Sequence, residues 1–165
     1  MPIRPWRPAD TVAIAELFHA SVRMLGPRRY SAGQVEAWSP AVRELGWWQA
    51  VLGDGRTVLV GVDEADRVLA FADLEADGHV DRLFRHPDAS PGLAAALLDA
   101  IIVSAEGQGM ARLYTEASDL ARGLFERKGF EVVARRAFDL RGVMIWNWAM
   151  ARDLGPPAGA PPPLG

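Results

Sequence analysis

Val80-Asp81-Arg82-Leu83-Phe84-Arg85-His86-Pro87 runs without a break into Asp88-Ala89-Ser90-Pro91-Gly92, and then into Leu93-Ala94-Ala95-Ala96-Leu97-Leu98. The first part reads as the end of a strand and the second as a loop. The Ala- and Leu-rich run reads as a helix through Glu106 that stops near Gly107-Gln108-Gly109. A loop that enters a helix start presents unpaired N–H groups and the positive end of the helix dipole. Gly92, Ala94 and Ala95 carry no bulky side chain, so an anion can approach their backbone closely. The stretch is therefore a candidate anion site, although an ordinary strand-to-helix turn has the same pattern.

Downstream, Arg112–Glu116 is a short strand, and Ser118 can cap a helix that runs to Lys128 and stops at Gly129. Strands over Phe130–Phe138 and Val143–Ala151 follow, the last with Met144, Trp146, Trp148 and Met150 alternating on one face. Upstream, Asp77-Gly78 is a hairpin signal between strands Val68–Glu75 and His79–Arg85, and Thr57–Val62 is a β-branched strand before them. Ile3-Arg4, followed by Pro5 and Pro8, is at most a short edge strand. Asp10 can cap a helix with Ile14, Leu17, Phe18 and Leu25 on its apolar face, Ser31 a short helix with Val35 and Trp38, and Ser39-Pro40 a third through Trp47-Trp48 to about Leu52. This order predicts an α+β fold: a mixed, mostly antiparallel sheet of about seven strands with helices on both faces. Residues 1–152 read as one domain. Residues 153–165 read as a flexible tail, because 155–165 contain five Pro and three Gly.

The 165 residues carry a net charge of −3 with a pI near 5.6, which provides no positive field for nucleic acid or an anionic membrane surface. Of 18 basic residues only Lys128 is not arginine. The absence of cysteine removes disulfides, thiolate nucleophiles and thiolate metal sites. With no signal-peptide core and no long apolar run, a cytoplasmic protein is expected. His19, His79 and His86 are scattered without metal-ligand spacing, so no metal is assigned.

The segment Ser118-Asp119-Leu120-Ala121-Arg122-Gly123-Leu124-Phe125-Glu126-Arg127-Lys128-Gly129-Phe130 resembles the motif N-x-x-A-x-x-[LF]-Y-x-x-x-G-[FY] of the GCN5-related N-acetyltransferases. Ala121, Leu124, Gly129 and Phe130 match in register. Leu83-Phe84-Arg85-His86-Pro87 resembles the family's L-[YF]-V-x-P, and Leu93–Leu98 the opening of its cofactor helix. The resemblance implies a V-shaped splay between strands four and five that holds acetyl-CoA. It also implies transfer of the acetyl group by direct attack of a primary amine on a small molecule or peptide, and a homodimer is common among relatives. Carried over residue by residue, main-chain groups around Leu83, Phe84 and Arg85 would meet the pantetheine arm. Ser90, Gly92, Leu93 and Ala94 would meet the pyrophosphate, and Ser118, Ala121, Arg122, Phe125 and Lys128 fall on the second motif. Asp81 is the first candidate base, with Glu116 and Asp73 behind it, and Tyr30 and Trp38 fall on the acceptor side. Three departures stand out: Ser118 for Asn, Phe125 for Tyr, and a phosphate loop one residue short that contains Pro91, which lacks an N–H. These keep open a degenerate acyl-CoA-binding protein, or a partner-binding one that uses Trp146 and Trp148.

Overall fold

The computed structural model describes residues 2–156. Within them the order is β1 (Ile3–Pro5), α1 (Thr11–Leu25), α2 (Ala32–Trp38), α3 (Leu45–Leu52), β2 (Thr57–Val62), β3 (Val68–Leu74), β4 (Val80–Arg85), α4 (Leu93–Gly107), β5 (Arg112–Ala117), α5 (Arg122–Arg127), β6 (Glu131–Leu140) and β7 (Val143–Asp153). The expected tail falls partly inside this range, since Asp153 closes β7; residues 157–165 lie outside the described residues. No described helix is long and apolar enough to cross a membrane.

The seven strands form an antiparallel four-stranded sheet in the order β1-β2-β3-β4 and an antiparallel three-stranded sheet in the order β5-β7-β6. The β3 strand is buried at every position because α4 covers one of its faces, while α1 and α3 cover the other. A strand covered on both faces needs a continuous apolar run, and Val68-Leu69-Ala70-Phe71-Ala72 supplies it. Leu93, Leu97, Leu98 and Ile101 of α4 are fully buried on one side of this sheet. Each such side chain contributes about 1.5–3 kcal/mol by leaving water.

The two sheets touch at one end only. His79 and Tyr114 form an isolated parallel bridge, and the Tyr114 N–H donates to the Gly78 carbonyl (3.1 Å). One step further, the Thr115 hydroxyl, and not a main-chain N–H, donates to the Val80 carbonyl (2.8 Å). Beyond that point β4 and β5 diverge, and the predicted splay is present.

Two helix starts differ from expectation. Ser39 does not cap a helix at Pro40: it is buried, and its hydroxyl lies 2.6 Å from His19 Nδ1, so residues 39–44 stay non-helical and α3 begins at Leu45. Asp10 stands at the N-cap position of α1, but its side chain makes no cap bond there. A 3-10 turn over Pro8–Asp10 precedes the helix, and the Asp10 carboxylate accepts from the Arg7 N–H (2.8 Å) and from Arg4 (2.8 and 3.0 Å). By contrast, Ser31 caps α2 through the Gln34 N–H (3.1 Å), with Gln34 returning the bond to the Ser31 N–H (2.9 Å).

Candidate functional site

The diverging edge of β4 carries the first component of the site. The His86 N–H donates to the Leu69 carbonyl (2.7 Å), which fixes the phase of the β3–β4 ladder. Antiparallel pairs alternate, so the main-chain groups of Leu83 and Arg85 turn away from β3 toward the gap. Opposite them, the start of α4 is reached through Gly92, whose φ of 87° is the left-handed region that glycine adopts without cost. Gly92, Ala94 and Ala95 find no main-chain acceptor for their N–H groups among the described residues, whereas Leu93 and Ala96 do (Ser90 and Gly92 carbonyls, 3.2 and 2.9 Å).

A cavity of about 460 Å³ fills this gap. Leu83, Phe84, Arg85, Ser90, Gly92, Ala94, Ser118 and Ala121, all singled out by the motifs, line it together with Trp38. Arg28 and Arg127 also line it, and no sequence signal distinguished them from other arginines. Its described wall contains no carboxylate, and Arg28, Arg85 and Arg127 have no carboxylate partner among the described residues. Unpaired N–H groups, small side chains and three free guanidinium groups suit a phosphorylated ligand.

Four residues of the second motif and the helix start lie outside this wall. Leu93 is turned into the core against Gly61, where an added Cβ would meet its side chain at 2.8 Å. Phe125 is buried edge-to-face on Phe130. Arg122 lies over the Trp148 ring at 4.0 Å and pairs with Glu126, and Lys128 pairs with Asp99 (2.8 Å).

A second cavity, of about 410 Å³, opens on the other side of the splay, and Trp38, Phe84 and Ser118 line both. The two spaces therefore meet at the middle of β4 and the end of β5. Tyr30 and Trp38 stand here together, edge-to-face at 5.6 Å, with Trp146 beside Tyr30. The Tyr30 hydroxyl is spent on structure: it donates to the Trp146 carbonyl (3.1 Å) and accepts from the Asp119 N–H (2.8 Å), and burial pushes its ionisation up. Trp148 donates to Asp119 (2.5 Å), so both strand tryptophans make internal contacts.

The three candidate bases have different surroundings. Asp73, near the end of β3, is fully buried and lines neither cavity. It accepts from the Arg82 N–H (2.7 Å), from the Arg82 side chain (2.8 Å) and from Arg56 (3.1 Å), and burial pushes its carboxyl up against their pull. Asp81 faces the second cavity as the extra residue of a bulge opposite Asp73 and Leu74. Its Oδ2 takes both Arg56 (2.9 Å) and Arg82 (2.8 Å). Glu116 also faces this cavity, two residues before Ser118 on the same side of β5 and so about 7 Å from the junction. Its Oε2 lies 2.5 Å from His79 Nε2, and His79 Nδ1 lies 2.7 Å from Glu75. Burial of His79 opposes its charge, but the two carboxylates outweigh that and raise its pKa above the ordinary value. Glu75, His79 and Asp81 are also close enough to hold a metal ion; the Arg56 and Arg82 guanidiniums on Asp81 make them a poor cation site. No metal-ligand spacing marks His79 in the sequence, and Glu116 comes within its reach only where β4 meets β5.

Against known proteins, residues 28–151 match the family described as Acetyltransferase (GNAT) domain. The uncharacterized N-acetyltransferase YafP of Escherichia coli is 30% identical over 149 residues, covering 90% of this chain and 93% of that one. A GCN5-related N-acetyltransferase from Rhodopseudomonas palustris, also described as aminotransferase, class-II, superposes with a TM-score of 0.84 at 30% identity over 93% of this chain and 95% of its own. The phosphinothricin acetyltransferase of Sinorhizobium meliloti, solved in complex with acetyl-CoA, has a TM-score of 0.73 at 20% identity over 98% and 95% of the two chains.

Proposed function

Because this chain belongs to the GNAT acetyltransferase family, we propose that it transfers the acetyl group of acetyl-CoA to a primary amine of a small molecule or peptide. The carrying observation is the pair of cavities that meet at Trp38, Phe84 and Ser118, one with an anion-binding floor and the other with ionisable side chains. In this reading the N–H groups of Gly92, Ala94 and Ala95, with Arg28, Arg85 and Arg127, hold the phosphates. The main-chain edge of Leu83 and Arg85 aligns the pantetheine arm. Acetyl-CoA supplies an acyl carbon activated by its bond to sulfur. An N–H of the same edge stabilises the negative charge that grows on the acyl oxygen, and needs no reorganisation to do so.

The amine enters from the second cavity and must lose a proton to attack. We assign that proton to Glu116, with His79 and Glu75 leading on toward solvent; Glu75 is 39% exposed. Asp81, held by two arginines, keeps the bulge and Arg82 in place. The nitrogen bonds to the acyl carbon as the carbon–sulfur bond breaks, and water protonates the departing thiolate. Phe125 has no proton to give. Tyr114 lines neither cavity, and its hydroxyl bond to Asp77 pushes its pKa up to about 12.

Calorimetric titration with acetyl-CoA, followed by thiol release over an amine panel, tests this reading. Because the chain has no cysteine, a thiol reagent reads only released CoA. Absence of both heat and thermal stabilisation would refute binding; binding without transfer to any amine would favour the degenerate acyl-CoA binder.

A further inference from the structure

Building on the transferase reading, we propose that the acceptor amine also carries an acidic group, a carboxylate or a phosphonate, with an apolar body between the two. The wall of the acceptor cavity contains four arginines, Arg43, Arg82, Arg136 and Arg141, against two carboxylates, Asp81 and Glu116. Arg82 is neutralised by Asp73 and Asp81 (both 2.8 Å). The other three have no carboxylate within 4.0 Å among the described residues. Elsewhere Arg4, Arg7, Arg23, Arg67, Arg112 and Arg122 each hold at least one. Of the arginines without a carboxylate among the described residues, Arg28, Arg85 and Arg127 line the phosphate cavity and Arg43, Arg136 and Arg141 the acceptor cavity, while Arg29, Arg135 and Arg152 line neither.

Their own contacts leave charge to spare. Arg43 lies over the Trp47 ring at 3.9 Å, and burial, then the charges of Arg141 and Arg82, lower its pKa. Arg136 donates only to the Asn147 side-chain oxygen (3.3 Å), and Arg141 to the Ala37 carbonyl (2.6 Å). Arg141 also occupies a costly backbone position. It has a φ of 50° beside Gly142 at 81°, in a two-residue hairpin turn where asparagine or glycine sits without strain. That turn carries its guanidinium from the tip of β6–β7 back over α2. Like charges held together without a counter-charge repel, and an oxyanion that takes two forked guanidinium groups relieves the repulsion with directional bonds. Between these arginines and Glu116 the wall is Trp38, Phe138, Ile145 and Trp146, which suits an aliphatic or aromatic body.

The test compares matched pairs in the thiol-release assay: 4-(aminomethyl)benzoate and 4-(aminomethyl)phenylphosphonate, each with benzylamine. Acetyl-CoA binding is followed in parallel by calorimetry. The acidic member of at least one pair should have a kcat/KM about tenfold or more above its partner, one forked ion pair being sufficient for that. Which pair responds distinguishes carboxylate from phosphonate. In R43Q and R136Q, both at the exposed rim, the KM of the acidic substrate should rise by about tenfold while that of its uncharged partner moves less than about twofold. A generally damaged fold would move both. Equal or better use of the non-acidic partners, or an unchanged KM ratio in both variants, overturns the proposal. Heat with acetyl-CoA but no turnover of any acidic amine also overturns it and leaves acetyl-CoA binding intact. No heat with acetyl-CoA defeats the transferase reading and this inference together.

Discussion

Glu116→Gln removes one negative charge from the row Glu75, His79, Glu116 and leaves a side chain of the same shape that still bonds His79. The Glu116 side chain is 34% exposed and sits on the acceptor side of the junction, so acetyl-CoA affinity does not depend on it, and its loss leaves His79 still paired with Glu75. Affinity for acetyl-CoA should hold within about twofold, as for sites that share no partner. Transfer should fall, because a positioned general base contributes about 10²–10⁴-fold. His79 remains in reach through a water molecule, so the loss should lie near about 10², which is about 2.7 kcal/mol of barrier. The assay is kcat/KM for CoA release from pH 6.5 upward, and the deficit should shrink as pH nears the amine's own pKa, where a base is no longer needed. Asp81→Asn is the control. It removes a partner of Arg56 and Arg82, so it should lower Tm yet cost kcat no more than about fivefold, a positioning effect smaller than that of a lost base. If D81N instead loses about a hundredfold with acetyl-CoA binding intact, and E116Q stays within about threefold, Asp81 is the base and the assignment is refuted.

Ala94→Asp, in the first turn of α4, should move two observables in opposite directions. An acid there stabilises the helix by about 0.3–1 kcal/mol, so Tm should hold or rise, while calorimetry should show acetyl-CoA binding weakened by about tenfold or more from the added negative charge. Unchanged affinity would remove the phosphates from that helix start. Asp73→Ala removes the buried carboxylate near the end of β3, leaves Arg56 and Arg82 to share Asp81, and should cost about 1.5–3 kcal/mol in urea unfolding; a loss below about 1 kcal/mol would show that the cluster relaxes freely. His79, whose folded pKa is raised, should contribute stability that is fully present below its unfolded value of about 6.5 and is lost as pH rises through the raised one. The gap in unfolding free energy between the wild type and His79→Gln should therefore be widest below about pH 6.5 and narrow as pH rises through the raised folded value. A gap that widens with pH would contradict the pairing with Glu75 and Glu116.

The parts of this molecule that were legible in the sequence are those whose information is local. The run Val68–Ala72 falls in an expected strand, Ser31 marks a helix start, and Gly129 with its φ of 85° marks a helix stop. Ser39-Pro40 follows the same local rule, yet His19, twenty residues away, takes the Ser39 hydroxyl, and the helix opens five residues later. Burial with a tertiary partner outweighed the cap. The site arginines were illegible for a further reason. Nearly every cation in the chain is arginine, so residue type provides no contrast, and only the fold shows that Arg43, Arg136 and Arg141 line the acceptor cavity without a carboxylate partner among the described residues. Gly78 shows both cases in one residue. As the second half of Asp77-Gly78 it announces a hairpin, and its φ of 96° fulfils that. It also lies so close to β5 that a Cβ would collide with the Arg112 carbonyl, and its own carbonyl holds the Tyr114 N–H. That contact pins the closed end of the splay and brings His79 within reach of Glu116. One glycine, readable as a turn, thereby sets where the two strands part and which side chains meet at the vertex. The second role depends on a strand more than thirty residues further on.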